Sequence, residues 1–535
     1  MDDCHISYQD LRYFSNLMKD YLDEKPDVKS LYHRFPNIKN FENQIEEKSI
    51  EWSSKSLERQ NLVKVLRDQY NGLEDVDKVL YNIDLLEKEN TFTITTGHQL
   101  NLFTGPLYFF YKIIDTINLT NKLRSFYPKY NFVPVYWMAS EDHDFEEIQY
   151  FNYAGKKIVY ETDQTGAVGR FENRELNKVY KVLELSLGKS DYAQELLQTF
   201  EKAYLKTSSL SEATRVLVHQ FFKDDGLLIL DADDTTLKRT MFPFFKQEFT
   251  DQKSYNQVNN TLASWPEKYK VQVNPRENNL FYLKDNLRSR IISHENNTYS
   301  IDGTDLKFDK KEILEDLNKH PERFSPNVIL RPLYQEVILP NLCYIGGGGE
   351  MAYWLQLKQM FDSYNVTFPI LLLRNSVLIA TEKQLRKLTA LKLSVQELFL
   401  HPDELKEKVT NLHSEIEIDF SNQKSHLKKQ FQDLYEIATK TDHSFYGAVA
   451  AQERKQIKGL ENLEKRLLTA QKRKLKDVNE RALKLQEQLF PNGNLQERVL
   501  NFSSFYEKYG SQWLEKLKSN LNPFDLRFTV IELPD

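Results

Sequence analysis

Three short stretches concentrate the residue types that chemistry needs. In TTGHQLNLFTGP (95–106), Gly97 and Gly105 bracket His98 and Gln99 between an apparent strand and an apparent helix. Gly105 is expected at the helix N-cap and Pro106 at the first helical position, with Lys112 two turns further on. Free backbone N–H groups and the positive helix end would favour an anion there, and glycine lets a ligand approach the backbone closely. SEDHDFEE (140–147) crowds Glu141, Asp142, His143 and Asp144 after the next apolar run. Asp144 with Glu147 reads as a capping-box-like pair, which accounts for the later acids and leaves Glu141, Asp142 and His143 unexplained. Three carboxylates in four residues repel one another unless a cation, an amine or sugar hydroxyls compensate, so ligand binding is expected at this cluster and a metal is not.

The third stretch, NLCYIGGGGEMAYW (341–354), spends four of the chain's 17 glycines in a row before Glu350. Such a run implies close backbone approach or unusual dihedral angles. Arg331, within RPLYQE, suits a bidentate grip on carboxylate or phosphate, and Arg374 with Ser376 follows the apolar strand PILLL. LLILDADD (227–234) ends a strand in acids that suit a site edge or a helix cap. Cys343 reads as a buried packing residue. The glycine run lacks the spaced GxGxxG form and is not followed by GK[ST], so neither the dinucleotide nor the P-loop signature applies to it, and with GxSxG, HExxH and CxxC absent from the chain hydrolase readings have little support.

The elements that position these residues alternate between strand and helix, the pattern of a mostly parallel α/β sheet. Helices fill 1–90, and strands are expected at TFTITT (91–96), FVPVYWMAS, LLILDADD, the run before the glycines, and PILLL. One long helix is expected over 191–222. YKVQVNP, NLFYLKD, RSRIISH and NTYSID predict a small antiparallel insertion, and a helix is expected over MAYWLQLKQMFDSY. Between 380 and 500, Leu460, Leu463, Leu467 and Ala470, then Leu475, Val478, Ala482, Leu485 and Leu489 mark a heptad seam with one five-residue skip. A continuous helix from His443 to Phe490 would extend roughly 70 Å, and residues 421–440 or a second subunit would meet its seam. NPFDLRFTVIEL (522–533) ends in a strand-like run.

At 535 residues with 40% hydrophobic and 28% charged residues, the composition is that of a soluble multidomain protein. A net charge of −6 argues against a general nucleic-acid binder. Two cysteines, Cys4 and Cys343, exclude a disulfide framework and a cysteine-rich zinc site, and suit a reducing cytoplasm. No signal peptide or membrane-length apolar run is expected.

Taken together, TGHQLNLFTGPLYFFYK, VPVYWMASEDHDFEEI, FSPNVILRPLYQEVILPNLCYIGGGGEMAYWLQLK, FPILLLRNS and NLQERVLNF resemble the BshC family of bacillithiol biosynthesis. The resemblance runs in order over nearly the whole chain. It implies an α/β, Rossmann-like core related to class I aminoacyl-tRNA synthetases, with connecting-peptide insertions and an α-helical coiled-coil domain that makes a homodimer. On that reading 1–90 is the N-terminal helical part of the core and 91–150 its first Rossmann-like half. Residues 151–305 are the insertion region, 306–379 the second half, 380–500 the coiled coil, and 501–535 a return to the core. The implied activity is a cysteine ligase joining L-cysteine to glucosaminyl-malate, with ATP and Mg2+ activating the carboxylate, no nucleic acid and no membrane. Glu141, Asp142, His143 and Asp144 become the catalytic candidates. Thr96, Gly97, His98, Gln99, Gly105, Pro106, Lys112, Arg331, Tyr334, Gln335, Gly347, Gly348, Gly349, Glu350, Tyr353, Trp354, Arg374 and Ser376 become binding candidates. The alternatives are a nucleotidyltransferase acting on another small acid or sugar, and a non-catalytic nucleotide-binding coiled-coil scaffold.

Overall fold

A computed structural model describes residues 5–535. It contains two compact units: one of Ser7–Val377 and Glu497–Thr529, the other of His5–Ile6, Leu378–Gln496 and Val530–Asp535.

The larger unit is built on five parallel strands: β1 (Thr91–His98), β2 (Asn131–Met138), β3 (Leu228–Asp231), β4 (Asn341–Gly346) and β5 (Ile370–Leu373). Their order is β5-β4-β1-β2-β3. Chain order therefore reverses between β1 and β4, and an open α/β sheet binds ligands beyond the carboxyl ends of its strands at such a reversal. Every residue of β1 from Thr91 to Gly97 is buried, as expected for a parallel sheet covered on both faces. Phe92, Ile94, Leu342, Cys343, Ile345, Ile370 and Leu372 pack with Phe41, Ile45, Leu119 and Leu123 from flanking helices. The Cys343 thiol is pushed well up by this burial, which suits packing and not nucleophilic attack. Cys4 lies outside the described residues.

Four helices matter for the site: α1 (Tyr108–Phe126), α2 (Thr235–Thr240), α3 (Arg331–Ile338) and α4 (Gly348–Trp354). The expected helix over 191–222 is interrupted, running as Asp191–Phe200 and Leu210–Phe222 with a π-helical turn at Glu201–Leu205. The helix expected over MAYWLQLKQMFDSY is likewise two, α4 and Lys358–Tyr364. The antiparallel insertion forms from Leu280–Lys284, Leu287–His294, Thr298–Ile301 and Lys307–Asp309, with Phe324–Pro326 added at one edge. YKVQVNP is not one of its strands. The Gln356 side chain takes the Gln272 and Val273 N–H groups and donates to the Val273 carbonyl, satisfying that backbone without a partner strand. The run in 522–533 forms Arg527–Leu533, the middle of a three-stranded sheet.

In the smaller unit, α5 (Ser421–Ala438) and α6 (His443–Lys474) form a hairpin, and α7 (Lys476–Leu489) follows. Phe431, Ala438 and Val449 are its buried centre, with Leu427 and Tyr435 packed against them. Lys424 pairs with Glu464 at 2.7 Å across the two helices. The continuous helix expected from His443 to Phe490 breaks at Leu475, the residue where the heptad pattern skips. Beyond the break Ala482, Leu485 and Leu489 are buried, and Gln486 donates to the Leu398 and Leu400 carbonyls. No helix among the described residues is long and apolar enough to cross a membrane.

Candidate active site

The carboxyl ends of β1, β2 and β4 open into a cavity of about 550 Å³. Parallel register sets Gly97 beside Trp137 and His98 beside Met138, so these ends form one floor. Of the residues selected from sequence, Gly97, His98, Gln99, Lys112, Glu141, Asp142, His143, Arg331, Gly347, Gly348, Gly349, Glu350, Tyr353 and Arg374 line it. Gly105 and Pro106 border a smaller neighbouring cavity of about 310 Å³. The others serve the scaffold. The Thr96 hydroxyl donates to the Ile345 carbonyl, Tyr334 donates to the Ala232 carbonyl, and Trp354 stacks on Tyr344. Ser376 is buried, with its hydroxyl against Glu497, and Asp144 is exposed without a capping bond. The expected Asp144–Glu147 capping pair does not form; Glu147 instead accepts from Gln99.

The strand-to-helix corner differs from expectation. Strand β1 continues through Gly97 and His98, and α1 begins at Tyr108, two residues beyond Pro106. The Leu107 N–H, expected to be free for an anion, bonds the Leu500 carbonyl, and Asn501 donates to the Phe103 and Gly105 carbonyls. This corner is closed by the chain itself. The glycine run behaves differently again: none of Gly346–Gly349 has a positive φ. A side chain at Gly346 would crowd Tyr344 at 3.0 Å, whereas Gly349 faces open space. The run keeps the cavity wall low.

Glu350 holds this wall in place. Its carboxylate accepts from the Gly347 N–H at 2.8 Å, the Tyr344 hydroxyl at 2.9 Å and Lys112 at 2.7 Å. Lys112 also donates to the Gly97 carbonyl. Lys112 is therefore buried and ion-paired, tying α1 to α4 across the end of β1. Arg374 pairs with Glu497 at 2.6 Å, both buried. Arg331 and Arg498 line the cavity and have no carboxylate within ion-pair distance among the described residues; Arg331 donates only to Gln335 and Tyr353. These are the charges left over for an anionic ligand.

The acidic corner divides into unlike halves. Burial disfavours charge on Asp142, but bonds from His143 and Gln99 and the nearby Arg288 hold it well below the usual carboxylate range. Burial pushes Glu141 the other way, up, against the pull of Lys238 and with repulsion from Asp233 added. The two adjacent carboxyls thus sit in environments that drive their proton affinities apart. His143 accepts from Arg288 at its Nδ1, 2.6 Å away. A guanidinium can only donate, so the neutral ring carries its proton on Nε2.

Arg288, Arg498, Tyr108, Trp137 and Tyr344 also line the cavity, with Met138, Ala139, Pro326, Asn327 and Val328, and were missed from sequence. Arg288 comes from the antiparallel insertion, packed 4.0 Å over Phe281. No local motif surrounds it; only the fold brings it to His143. Among the described residues, no group of three or more His, Cys, Asp or Glu is placed to hold a metal ion.

A parallel sheet with a cation-rich cavity at its strand reversal places this unit in the class of Rossmann-like domains, whose ligands sit at that position. The N-terminal Rossmann-like domain of the bacillithiol biosynthesis BshC family matches residues 1–375, and its C-terminal coiled-coil domain matches 377–533. Relatives named "Putative cysteine ligase BshC" include those of Flavobacterium johnsoniae, 54% identical with 99% of each chain covered, and Cytophaga hutchinsonii, 38% identical with 97% of this chain and 96% of the relative covered. That of Bacillus cytotoxicus is 26% identical, with 89% of this chain and 91% of the relative covered. The chain belongs to the BshC family, whose curated members are named as ligases.

Proposed function

We propose that this protein joins L-cysteine to glucosaminyl-malate in the cytoplasm, completing bacillithiol, with ATP activating the cysteine carboxylate. The relatives' name supports a cysteine ligase. One observation carries the chemistry: unpaired Arg331 and Arg498 share a cavity with Glu141, a carboxyl whose surroundings raise its proton affinity. The cysteine carboxylate oxygen attacks the ATP α-phosphorus, releasing pyrophosphate and forming an acyl-adenylate. The glucosamine amine then attacks the acyl carbon, a C–N bond forms, AMP leaves, and the amine proton passes to Glu141. Arg331, Arg498 and the low wall at Gly347–Gly349 suit the phosphates of the nucleotide and the carboxylates of the malyl group. Mg2+ enters as part of the MgATP substrate. The Nε2–H of His143 is a neutral donor available to the acyl oxygen as it gains charge.

The test is direct. Purified protein with cysteine, glucosaminyl-malate and MgATP is expected to give bacillithiol by mass spectrometry, with AMP and pyrophosphate in equal amounts. ADP and phosphate in their place would replace the adenylate with an acyl phosphate, and nucleotide binding without product would sink the ligase reading. The coiled coil is proposed to pair two copies of the chain. Leu434, Ile437, Phe445, Tyr446 and Leu463 stay exposed on the α5–α6 hairpin, which supports a second copy covering them.

A further inference from the structure

Lys238, on α2, is completely buried, a rare state for a lysine without partners. Its Nζ lies 2.6 Å from a Glu141 carboxylate oxygen and 2.6 Å from Asp233, and 3.3 Å from the Glu322 carbonyl. Asp233 in turn receives Arg170 through two bonds of 2.6 and 2.9 Å. The charges alternate from the surface to the cavity: Arg170, Asp233, Lys238, Glu141. The backbone on either side of Glu141 is splinted by the segment that carries Arg170. The Val168 N–H bonds the Asp142 carbonyl and the Gly169 N–H bonds the Ser140 carbonyl, both at 2.7 Å. Gly169 has no room for a side chain, since a Cβ there would meet Ser140 at 2.5 Å. None of Arg170, Asp233 or Lys238 lines the cavity, so this chain of charges acts on ligands only through Glu141.

We propose that Lys238 is a positioning residue, fixing the Glu141 carboxylate at the cavity wall and keeping it ionised until it receives the proton of the attacking amine. The inference rests on the ligase reading for the identity of that proton and on geometry for the rest. Around Glu141 stand Lys238 from α2, Asp233 before it, Arg288 from the antiparallel insertion, Tyr334 from α3, and the adjacent Asp142. Within this set Lys238 and Arg288 stabilise the carboxylate, while Asp233 and Asp142 oppose it. Lys238 is the closer cation and the only one of the two in contact. Removing it takes away the nearest charge that favours the ionised carboxylate, so the proton affinity of Glu141 rises further, whereas removing the charge of Asp233 leaves Lys238 wholly to Glu141.

The two variants therefore move in opposite directions. Lys238→Met is expected to shift the acidic limb of the kcat/KM profile upward by about one pH unit or more, with activity recovering as pH is raised. Asp233→Asn is expected to shift the same limb downward, and KM for either substrate should stay within about twofold in both variants, since neither residue reaches the cavity. Limbs that stay in place, or move together, overturn the proposal. If Lys238→Met fails to fold, the downward shift in Asp233→Asn decides alone. A 13C titration of the Glu141 carboxyl, assigned by difference from E141Q, makes the same comparison without turnover. Opposite shifts there in a protein lacking ligase activity would keep the role of Lys238 and discard the reaction. Unmoved titrations in an active ligase would do the reverse.

Discussion

Glu141 and Asp142 are adjacent and chemically alike, yet their surroundings give them different work. Asp142 is occupied by Gln99 and the His143 N–H and stays ionised, which makes it an anchor for the corner. Glu141 reaches the cavity with its proton affinity raised. Glu141→Gln is expected to lower kcat by roughly 10²-fold or more, the usual worth of a positioned base, with the melting temperature nearly unchanged because the amide keeps its shape. His143→Ala, at a half-exposed side chain, is expected to impair turnover with the same small effect on melting. Loss of folding in either variant would make the corner structural. His98 makes a different prediction. Its Nδ1 bonds the Gln99 carbonyl, and burial with the nearby Lys112 charge pushes the ring down to about 4. The unfolded chain takes up a proton near pH 6.5 that the folded protein resists until about pH 4. Stability is thus full above 6.5 and falls as the pH drops through that window. Allowing for its partial exposure to the cavity, the loss is on the order of 2 kcal/mol. His98→Gln should remove it, read as a smaller drop in melting temperature between pH 7.5 and 5.

At the scale of elements, the connection from β1 to α1 is the most constrained. Gly105 adopts φ 63° and ψ −129°, a conformation open in practice only to glycine. A Cβ there would also lie 2.7 Å from the Asn101 Cβ. Gly105→Ala is expected to cost about 2 kcal/mol or more, and to weaken substrate binding by displacing Gln99 and Tyr108, which border both cavities. A variant with wild-type stability and KM would show that the corner yields. The glycine pair seen in sequence is therefore used for chain geometry at Gly105 and, at Gly97, for the close approach of the Tyr344 hydroxyl, 3.1 Å from where a Cβ would sit. The run at 346–349 points to close backbone approach or unusual dihedral angles; no φ in it is positive, and a Cβ at Gly346 would lie 3.0 Å from the Tyr344 ring.

For the whole molecule, the seam read in 460–489 divides its labour. Its second half is buried within its own unit, while Leu463 in the first half is 52% exposed even though α5 packs alongside. If a second copy covers that face, wild-type protein should sediment as a dimer, and Leu463→Glu should shift it toward monomer at micromolar concentration. A monomeric wild type would leave the coiled coil as a hairpin arm.

The sequence by itself determined the five strands of the parallel sheet and their alternation with helices. Apolar strands alternate with helices, so a parallel sheet was legible, and glycines, arginines and acids fell at strand ends, where such sheets bind ligands. The heptad skip reads as a stutter within one helix, and the structure breaks the helix at that point, Leu475. Only the tertiary structure decided which charges are free. Lys112 looked available and is spent on Glu350; Arg331 looked like one arginine among several and is left unpaired. Arg288 and Lys238 carried no signal at all, because each meets the acidic corner across about a hundred residues or more of intervening chain. Motifs record what a residue's neighbours in sequence require. Its charge state and its freedom to bind depend on neighbours in space, and those are set by the packing of the whole unit.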